Sequence, residues 1–391
     1  MAWINDFFDK DLMSPFIIEK DNDYRADLSK KYSILIKKAK EVGADADSLR
    51  ILSSSAEAVK KALLEYYKGN VVSAYQKLQN LVKKCIDEDV DQIALCGVND
   101  AIVFHYGRTV DGSVPELQLF RARAQEEMKT LKAKDMLHLP FKLRNKTGNY
   151  RFSIPGVPSL YLANSSYGCW IELGKPSEHN FNVSPVLLDG EQKVFNLAVS
   201  LEDNPVLREN CAGIANLDAV NTRRVHTWLR QIVLMIATSY RVKEDGRKFK
   251  SEYIISQAVM LACKRIKSVK IDGVAYFSKR VENELFARTA INLALFTPYR
   301  KNKEYAELCE HLKVGDPFNF MMFKQLNAVG RYSNYQMRYE VDPLISNINE
   351  GNFRRQYSFR DTAFCDFDKF MFYKWKQEGK DTIEFGNAIE E

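Results

Sequence analysis

The sequence predicts an α+β protein, and three patterns along its 391 residues support this class. Between Tyr24 and about Asp89, apolar residues recur at spacings of three and four, which is typical of amphipathic helices. Beyond Pro115 the chain changes to short apolar runs separated by proline and glycine, as expected for strands and turns. Further on, a helical pattern over 252–266 is followed by a short apolar strand at 274–277. Helices and strands therefore share the core.

The N-terminal region, residues 1–112, is predicted to be a helical domain. Within it, helical segments over 56–67 and 71–86 are separated by Lys68-Gly69-Asn70, residue types that end a helix and turn the chain. This pattern predicts an antiparallel helical hairpin. A stretch rich in glycine, ending at Pro115, marks the end of the region, and we place the domain boundary there.

The remaining chain is predicted to form a mixed region, 113–300, and an aromatic-rich, mainly helical extension, 301–391. Strands are expected over 117–120 and 159–162, and the wide apolar face over 223–240 predicts a core helix. In the extension, aromatic residues lie among basic ones, a composition also found where bases stack on proteins. However, Phe364, Phe367 and Met371 share one helical stripe, which favours packing.

The composition is that of a globular protein. Hydrophobic residues make up 46% and charged residues 28%, which excludes a disordered or fibrous chain. The net charge of +6 is small for this length, so charge does not predict a nucleic-acid partner. The first ten residues lack the pattern of a secretory signal, and the longest apolar run, 232–237, is far shorter than the roughly 18 residues of a membrane span. We therefore expect a cytoplasmic protein without membrane association.

The cysteines and histidines predict no metal site. The seven cysteines form no CxxC pair, and the five histidines form no HxH or HExxH motif. His138 is a candidate general base, and Cys169 a candidate nucleophile, but we expect both to be structural. The glycines form neither a dinucleotide-binding loop nor a P-loop, so a bound redox cofactor is not expected.

The most informative stretch runs from Asn149 to Glu172. Arg151 precedes a Pro-Gly-Val-Pro turn, Tyr161 lies in the predicted strand, and Glu172 lies in a helix that Ser165 or Ser166 can cap. An arginine binds phosphate, a tyrosine ring stacks on a heteroaromatic ring, and a carboxylate stabilises an oxocarbenium-like centre. Together they suit cleavage of a nucleotide glycosidic bond. The alternative is an Arg151–Glu172 ion pair beside a core tyrosine.

Several blocks of the sequence resemble the RES domain family, whose fold is similar to that of ADP-ribosyltransferases. The central block is Arg151, with Tyr161 ten residues later and Glu172 eleven after that. The other blocks, in the family's order, are Phe120-Arg-Ala-Arg123, Met136-Leu-His-Leu-Pro-Phe141, Glu252-Tyr-Ile-Ile-Ser-Gln257 and Asp272-Gly-Val-Ala-Tyr-Phe-Ser278. The sequence departs from the common family pattern at Tyr150 and Ser153, and the long interval before Ser278 indicates an insertion within 174–250.

The resemblance implies an enzyme that degrades NAD, which would be a substrate and not a cofactor, by hydrolysis or phosphorolysis of its nicotinamide bond. It implies a toxin or phage-defence effector, with inorganic phosphate, an antitoxin or regulatory protein, and a second copy of the chain as candidate partners. The implied catalytic residues are Arg151, Tyr161 and Glu172, and the implied substrate-binding residues are Arg121, Arg123 and Ser278. Two alternatives remain: ADP-ribosyl transfer to a protein or nucleic acid, and a non-catalytic module that binds NAD.

Overall fold

The computed structural model of the chain describes residues 2–18, 23–103, 119–125, 131–188, 192–207, 217–243, 246–281, 290–328, 344–350, 353–359 and 362–377. The predicted domain boundary after residue 112 and Cys211 lie outside these residues.

The described chain contains nine α-helices and thirteen strands. The helices are α1 (Tyr24–Glu41), α2 (Ala46–Tyr67), α3 (Val71–Asp87), α4 (Val98–Val103), α5 (Ser166–Glu172), α6 (Leu217–Thr238), α7 (Ile254–Arg265), α8 (Phe320–Ala328) and α9 (Ala363–Gln377). The strands are β1 (Phe16–Ile17), β2 (Leu95–Gly97), β3 (Leu119–Ala124), β4 (Ser159–Ala163), β5 (Phe181–Leu188), β6 (Lys193–Leu197), β7 (Tyr240–Arg241), β8 (Gly273–Phe277), β9 (Ile291–Phe296), β10 (Leu312–Val314), β11 (Phe318–Asn319), β12 (Leu344–Glu350) and β13 (Phe353–Ser358). The α+β class is confirmed.

The chain divides into two compact units, each built from three separate segments. Unit 1 comprises Met1–Gly97, Gly148–Ile154 and Lys193–Lys279, and unit 2 comprises Val98–Thr147, Pro155–Gln192 and Arg280–Glu391. Arg151 and Ser278 therefore belong to unit 1, whereas Tyr161 and Glu172 belong to unit 2. These units are defined by packing and cut across the regions 1–112, 113–300 and 301–391, which remain sequence-based predictions of domain organisation.

Helices α1, α2 and α3 confirm the helical prediction for the N-terminal part of the chain. Helix α2 begins at Ala46 and not at residue 56, because the carboxylate of Asp45 caps it by accepting a hydrogen bond from the Ser48 amide at 2.8 Å. The predicted turn between α2 and α3 is present at Gly69, whose φ of +83° favours glycine.

Helix α6 is the centre of unit 1, as its wide apolar face predicts. The side chains of Trp228, Leu229 and Ile232 are fully or almost fully buried, and α6 packs against α1, α2, α3 and α7. The hydroxyl of Tyr32 on α1 donates to the carbonyl of Val233 at 2.9 Å. Strand β6 pairs in parallel with β8 and antiparallel with β2, and α6 and α7 lie in the connection between the parallel strands.

Unit 2 contains an antiparallel sheet in the order β10, β5, β3, β4 and β9. Residues Ser159 to Ala163 of β4 pair with Phe296 to Asn292 of β9, which confirms the strand predicted over 159–162. One face of this sheet packs against α5, α8 and α9 through a cluster that includes Phe120, Phe181 and Phe367.

Among the described residues of 301–391, strands lie beside helices α8 and α9, so the region predicted to be mainly helical also contains β structure. Strands β10 and β11 pair with β5, and β12 pairs with β13 as an antiparallel hairpin. The aromatic composition that suggested helices also suits strands. The packing interpretation is confirmed for α9, since Phe364 stacks on Phe320 with ring centroids 4.8 Å apart and Phe367 is fully buried.

None of the helices in the described part of the chain combines the length and apolar character that crossing a membrane requires.

Candidate functional site

Arg151 lies in a tight turn of unit 1 and is held by the backbone. Its guanidinium donates to the carbonyl of Thr238 at 2.6 Å and to that of Tyr240 at 2.7 Å. It is 9% exposed and lies 5.0 Å from the ring centroid of Tyr253, a cation–π contact. Arg151 therefore joins its turn to the end of α6 and to β7. Its catalytic role stays a prediction.

Two further contacts fix the Arg151 turn. The side-chain amide of Gln257 on α7 donates to the carbonyls of Tyr150 at 3.0 Å and Ser153 at 3.1 Å. The ring of Phe152 packs on Tyr276 of β8, with centroids 4.7 Å apart. The structure thus brings the Arg151 segment together with the blocks at 252–257 and 272–278 inside unit 1, although they lie about a hundred residues apart in the sequence.

Ser278 directly follows β8 and is 1% exposed. Burial of this extent leaves its hydroxyl covered in the described structure. Its contact with substrate stays a prediction.

Glu172 is the last residue of α5, a short helix that the sequence positions through its cap. The hydroxyl of Ser165 accepts a hydrogen bond from the Gly168 amide at 2.9 Å, as the serine-rich start predicts. A Cβ on Gly168 would lie 3.2 Å from the Cβ of Ala163 and 3.3 Å from the Cα of Ala290, so glycine permits the close approach of α5 to its neighbours. The first turn of α5 therefore packs closely against β4 and the residue before β9.

The carboxylate of Glu172 is bound by two side chains of unit 2. Asn292 of β9 donates from Nδ2 to Oε1 at 2.7 Å, and the Nε of Arg280 lies 3.9 Å from Oε2. Asn292 is 3% exposed, whereas the side chain of Glu172 is 34% exposed. A donor and a cation stabilise the negative charge, while a third of the side chain stays accessible to a ligand.

Tyr161 lies on the same face of the sheet as Asn292, the residue that donates a hydrogen bond to Glu172. In the β4–β9 ladder Tyr161 is opposite Ala294, and Ala163 is opposite Asn292, so alternation puts all four side chains on one face. Diagonal neighbours in such a ladder are about 7–8 Å apart, within reach of an aromatic side chain. The partly buried Tyr161 and the carboxylate of Glu172 are therefore brought towards one region.

Arg121 and Arg123 lie on the other face of the sheet. Ala122 belongs to the cluster beneath α5, and its two neighbours on β3 alternate away from it. Arg121 donates to the carbonyl of Tyr161 at 2.8 Å, and Arg123 donates to the carbonyl of Leu137 at 3.1 Å. The structure thus gives Arg121 a contact that supports β4. The predicted role of both arginines in binding substrate stays a prediction.

His138 and Cys169 have structural environments, as the sequence favours. The Nε2 of His138 accepts a hydrogen bond from the Ala306 amide at 2.9 Å, so its proton lies on Nδ1, which contacts the Leu139 carbonyl at 2.8 Å. Burial lowers the pKa of His138. Cys169 is buried, and desolvation raises the pKa of its thiol well above the usual range, which disfavours the thiolate.

Asp368 of α9 holds the start of α5. Its two carboxylate oxygens accept from the Ser166 amide at 3.1 and 3.3 Å, and the residue is 2% exposed. Desolvation raises the pKa of Asp368 to about 8, although the Ser166 contacts oppose this. The C-terminal helix therefore contributes to the position of α5.

Asn292, Arg280 and Asp368 were not identified from the sequence. Asn292 interrupts the apolar run 291–296, and a polar residue in a buried strand is a usable signal. Arg280 follows Ser278 by two positions, next to a block already singled out. Asp368 lies within the apolar stripe of α9, where a lone acid is unusual.

Comparison with known proteins gives one relative of note. The chain is 26% identical over 289 residues to a Bacillus subtilis (strain 168) protein named "Putative toxin YopC". The match covers 72% of this chain and 61% of the relative, so the chain spans less than two thirds of that protein's length. No protein-family model matches the chain, and no solved structure matches it.

Proposed function

We propose that this chain is a toxin that cleaves the nicotinamide glycosidic bond of NAD, with Glu172 as its catalytic carboxylate. The observation that carries the proposal is the state of Glu172: accessible over a third of its side chain, yet fixed by Asn292 at 2.7 Å. A carboxylate that is fixed in position and accessible to substrate is suited to stabilising positive charge in a transition state. It does not have to reorient when that charge develops.

The chemistry of the nicotinamide glycosidic bond explains why one carboxylate would be enough to promote its cleavage. Nicotinamide is bound to ribose as a pyridinium, so it takes the electron pair of the breaking C–N bond and departs as a neutral molecule without needing a general acid. Positive charge then develops at the anomeric carbon, where Glu172 would stabilise it. Water, which then releases one proton to solvent, or inorganic phosphate adds to that carbon and completes the hydrolysis or phosphorolysis.

Tyr161 supports the same proposal. It lies on the sheet face that carries Asn292, and a tyrosine ring stacks on a flat heteroaromatic ring. We assign it to the nicotinamide ring, while Arg280, 3.9 Å from the carboxylate, keeps Glu172 oriented. Arg121 would act through the Tyr161 carbonyl as a positioning residue.

In this proposal, the residues of unit 1 have a structural role and not a catalytic one. The Arg151 guanidinium donates to two backbone carbonyls, so we assign Arg151 to ordering its turn, with Gln257 as a second support.

The similarity of the chain to a protein named as a toxin agrees with the toxin class that the RES resemblance implies. The resemblance also implies an ADP-ribosyltransferase-like fold for the core.

The test is incubation of purified protein with NAD, with and without phosphate, while nicotinamide and ADP-ribose products are separated by chromatography. We expect nicotinamide release that falls at least about a hundredfold in Glu172→Gln. Glu178→Gln is the matched control, since Glu178 is also a partly exposed carboxylate of unit 2 and pairs with Lys324 at 2.8 Å. Equal release from wild type and Glu172→Gln would overturn the assignment.

A further inference from the structure

A cleft of about 360 Å³ lies among helices α2, α3 and α6 of unit 1. Its size falls at the lower end of the range for small-molecule sites. Among its lining residues, four are permanent cations and one is a carboxylate: Arg50, Lys77, Lys84 and Arg230 against Glu88. The cleft is therefore cationic, although the whole chain carries a net charge of only +6.

Arg230 is the buried cation of the cleft. Its side chain is 8% exposed, and its Nη2 lies 2.7 Å from the Oε2 of Glu88. Its Nη1 is buried and has no hydrogen-bond acceptor among the described residues. A buried guanidinium nitrogen without an acceptor is costly, so an anionic oxygen supplied by a ligand would stabilise it.

Two lysines of α3 add positive charge to the cleft. Lys77 and Lys84 are seven positions apart on α3 and therefore share one face of the helix. Neither lies within 4 Å of a described carboxylate, although the charge of Lys77 also acts on Glu65 at the end of α2. By contrast, Arg50 is paired with Asp47 at 2.9 Å. Like charges that face one cleft repel, and an anion bound between them removes that repulsion.

The rest of the lining is suited to a ligand with a neutral body. Ser54 and Asn80 provide hydrogen-bonding groups, and Ile51 and Leu81 provide apolar surface. Burial lowers the pKa of His226, so its ring is largely neutral at pH 7 and adds a hydrogen-bonding group, not a fixed charge. Fixed cations beside a small apolar surface fit an anionic head group on a compact organic body.

We propose that this cleft binds a small phosphomonoester, with the phosphate held by Arg230, Lys77 and Lys84. The terminal phosphate carries close to two negative charges at neutral pH, which matches the excess of cations, and its oxygens accept several hydrogen bonds. The site is composed of residues of unit 1 and uses none of the residues assigned to NAD cleavage. It goes beyond the proposed function.

The test is isothermal titration calorimetry of the full chain at a constant ionic strength of about 150 mM, where non-specific attraction is screened. The probes are AMP, inorganic phosphate and adenosine. We expect saturable binding of AMP and of phosphate, and none of adenosine. Lys84→Gln and Lys77→Gln should each weaken AMP binding about tenfold, the loss of one charge-assisted contact.

Lys83→Gln is the matched control. Lys83 neighbours Lys84 on α3 but pairs with Asp87 and does not line the cleft. The control should bind AMP as the wild type does, and so should Glu172→Gln, which separates this site from the proposed catalytic one. The proposal is overturned if neither AMP nor phosphate binds, if adenosine binds as well as AMP, or if Lys83→Gln weakens binding as much as Lys84→Gln.

Discussion

Asn292 donates a hydrogen bond from its Nδ2 to the Oε1 of Glu172 over 2.7 Å, and the two residues are 120 positions apart in the chain. The contact joins a strand in the interior of unit 2 to the end of a short helix. It makes the orientation of Glu172 depend on the pairing of β4 with β9, and so it links the fold of unit 2 to the proposed chemistry.

Replacement of Asn292 by alanine is expected to lower kcat for NAD by about 10- to 100-fold while KM changes little. The reason is that Glu172 loses the donor that holds it where charge develops, a loss felt mainly in the transition state. Steady-state kinetics of nicotinamide release would measure both parameters.

The Asn292→Asp variant tests the positioning role through the pH dependence of the rate, which a loss of packing alone would not change. It puts a second carboxylate beside Glu172, and like charges at this distance favour protonation of one of them. We therefore expect the rate–pH profile of this variant to shift to higher pH. An unshifted profile with normal kcat would contradict the positioning role.

Arg151→Ala is expected to lower the free energy of unfolding by about 3 kcal/mol, since two buried carbonyls lose a charged donor. Urea denaturation would measure the change, and Arg151→Lys should recover only part of it, because an ammonium cannot reproduce the planar fork. If Arg151→Ala were inactive but as stable as the wild type, Arg151 would have the catalytic role that its motif predicts.

Local features of the fold could be predicted from the sequence. The spacing of apolar residues in α1 to α3 and the Ser165 cap of α5 involve residues close together in the chain. Such local patterns can be recognised in the sequence itself. The predicted start of α2 is wrong because it overlooks the Asp45 cap. In the C-terminal part, aromatic residues suit both helix and strand, so composition alone does not reveal the β12–β13 hairpin.

The surroundings of the candidate site could not be predicted in this way. Asn292 reaches Glu172 only after β4 and β9 pair, and Asp368 reaches Ser166 across 202 positions of sequence. The separation of Arg121 from Tyr161 onto opposite sheet faces likewise follows from the strand register, and a motif does not specify register.

Asp368 predicts a pH-dependent stability. Its pKa is raised by burial to about 8 from an ordinary value near 4, so between these pH values the folded chain binds this proton and the unfolded chain does not. The contribution of Asp368 to the free energy of unfolding is therefore present at low pH and is lost as the pH rises through about 8. The Asp368→Asn variant removes the titrating group, and its amide keeps an oxygen that accepts from Ser166.

We therefore expect the stability of Asp368→Asn relative to wild type to increase between pH 5 and pH 7, by up to roughly 2 kcal/mol. Denaturant midpoints for both proteins across this range would measure the difference. The control is Asp366→Asn, because Asp366 is on the same helix but about half exposed and pairs with Lys369. A difference between Asp368→Asn and wild type that does not change with pH would show that Asp368 has the same charge in the folded and unfolded chain.

The proposed function also predicts an effect in cells. Expression of the chain in a bacterial host is expected to lower cellular NAD several-fold and then to arrest growth, since cleavage of the nicotinamide bond consumes NAD instead of cycling it. Glu172→Gln should relieve both effects at equal protein level, whereas Glu178→Gln should relieve neither. NAD must fall before growth stops if its loss is the cause. Growth arrest at constant NAD would favour a toxin with another substrate, because the same fixed carboxylate can also serve ADP-ribosyl transfer.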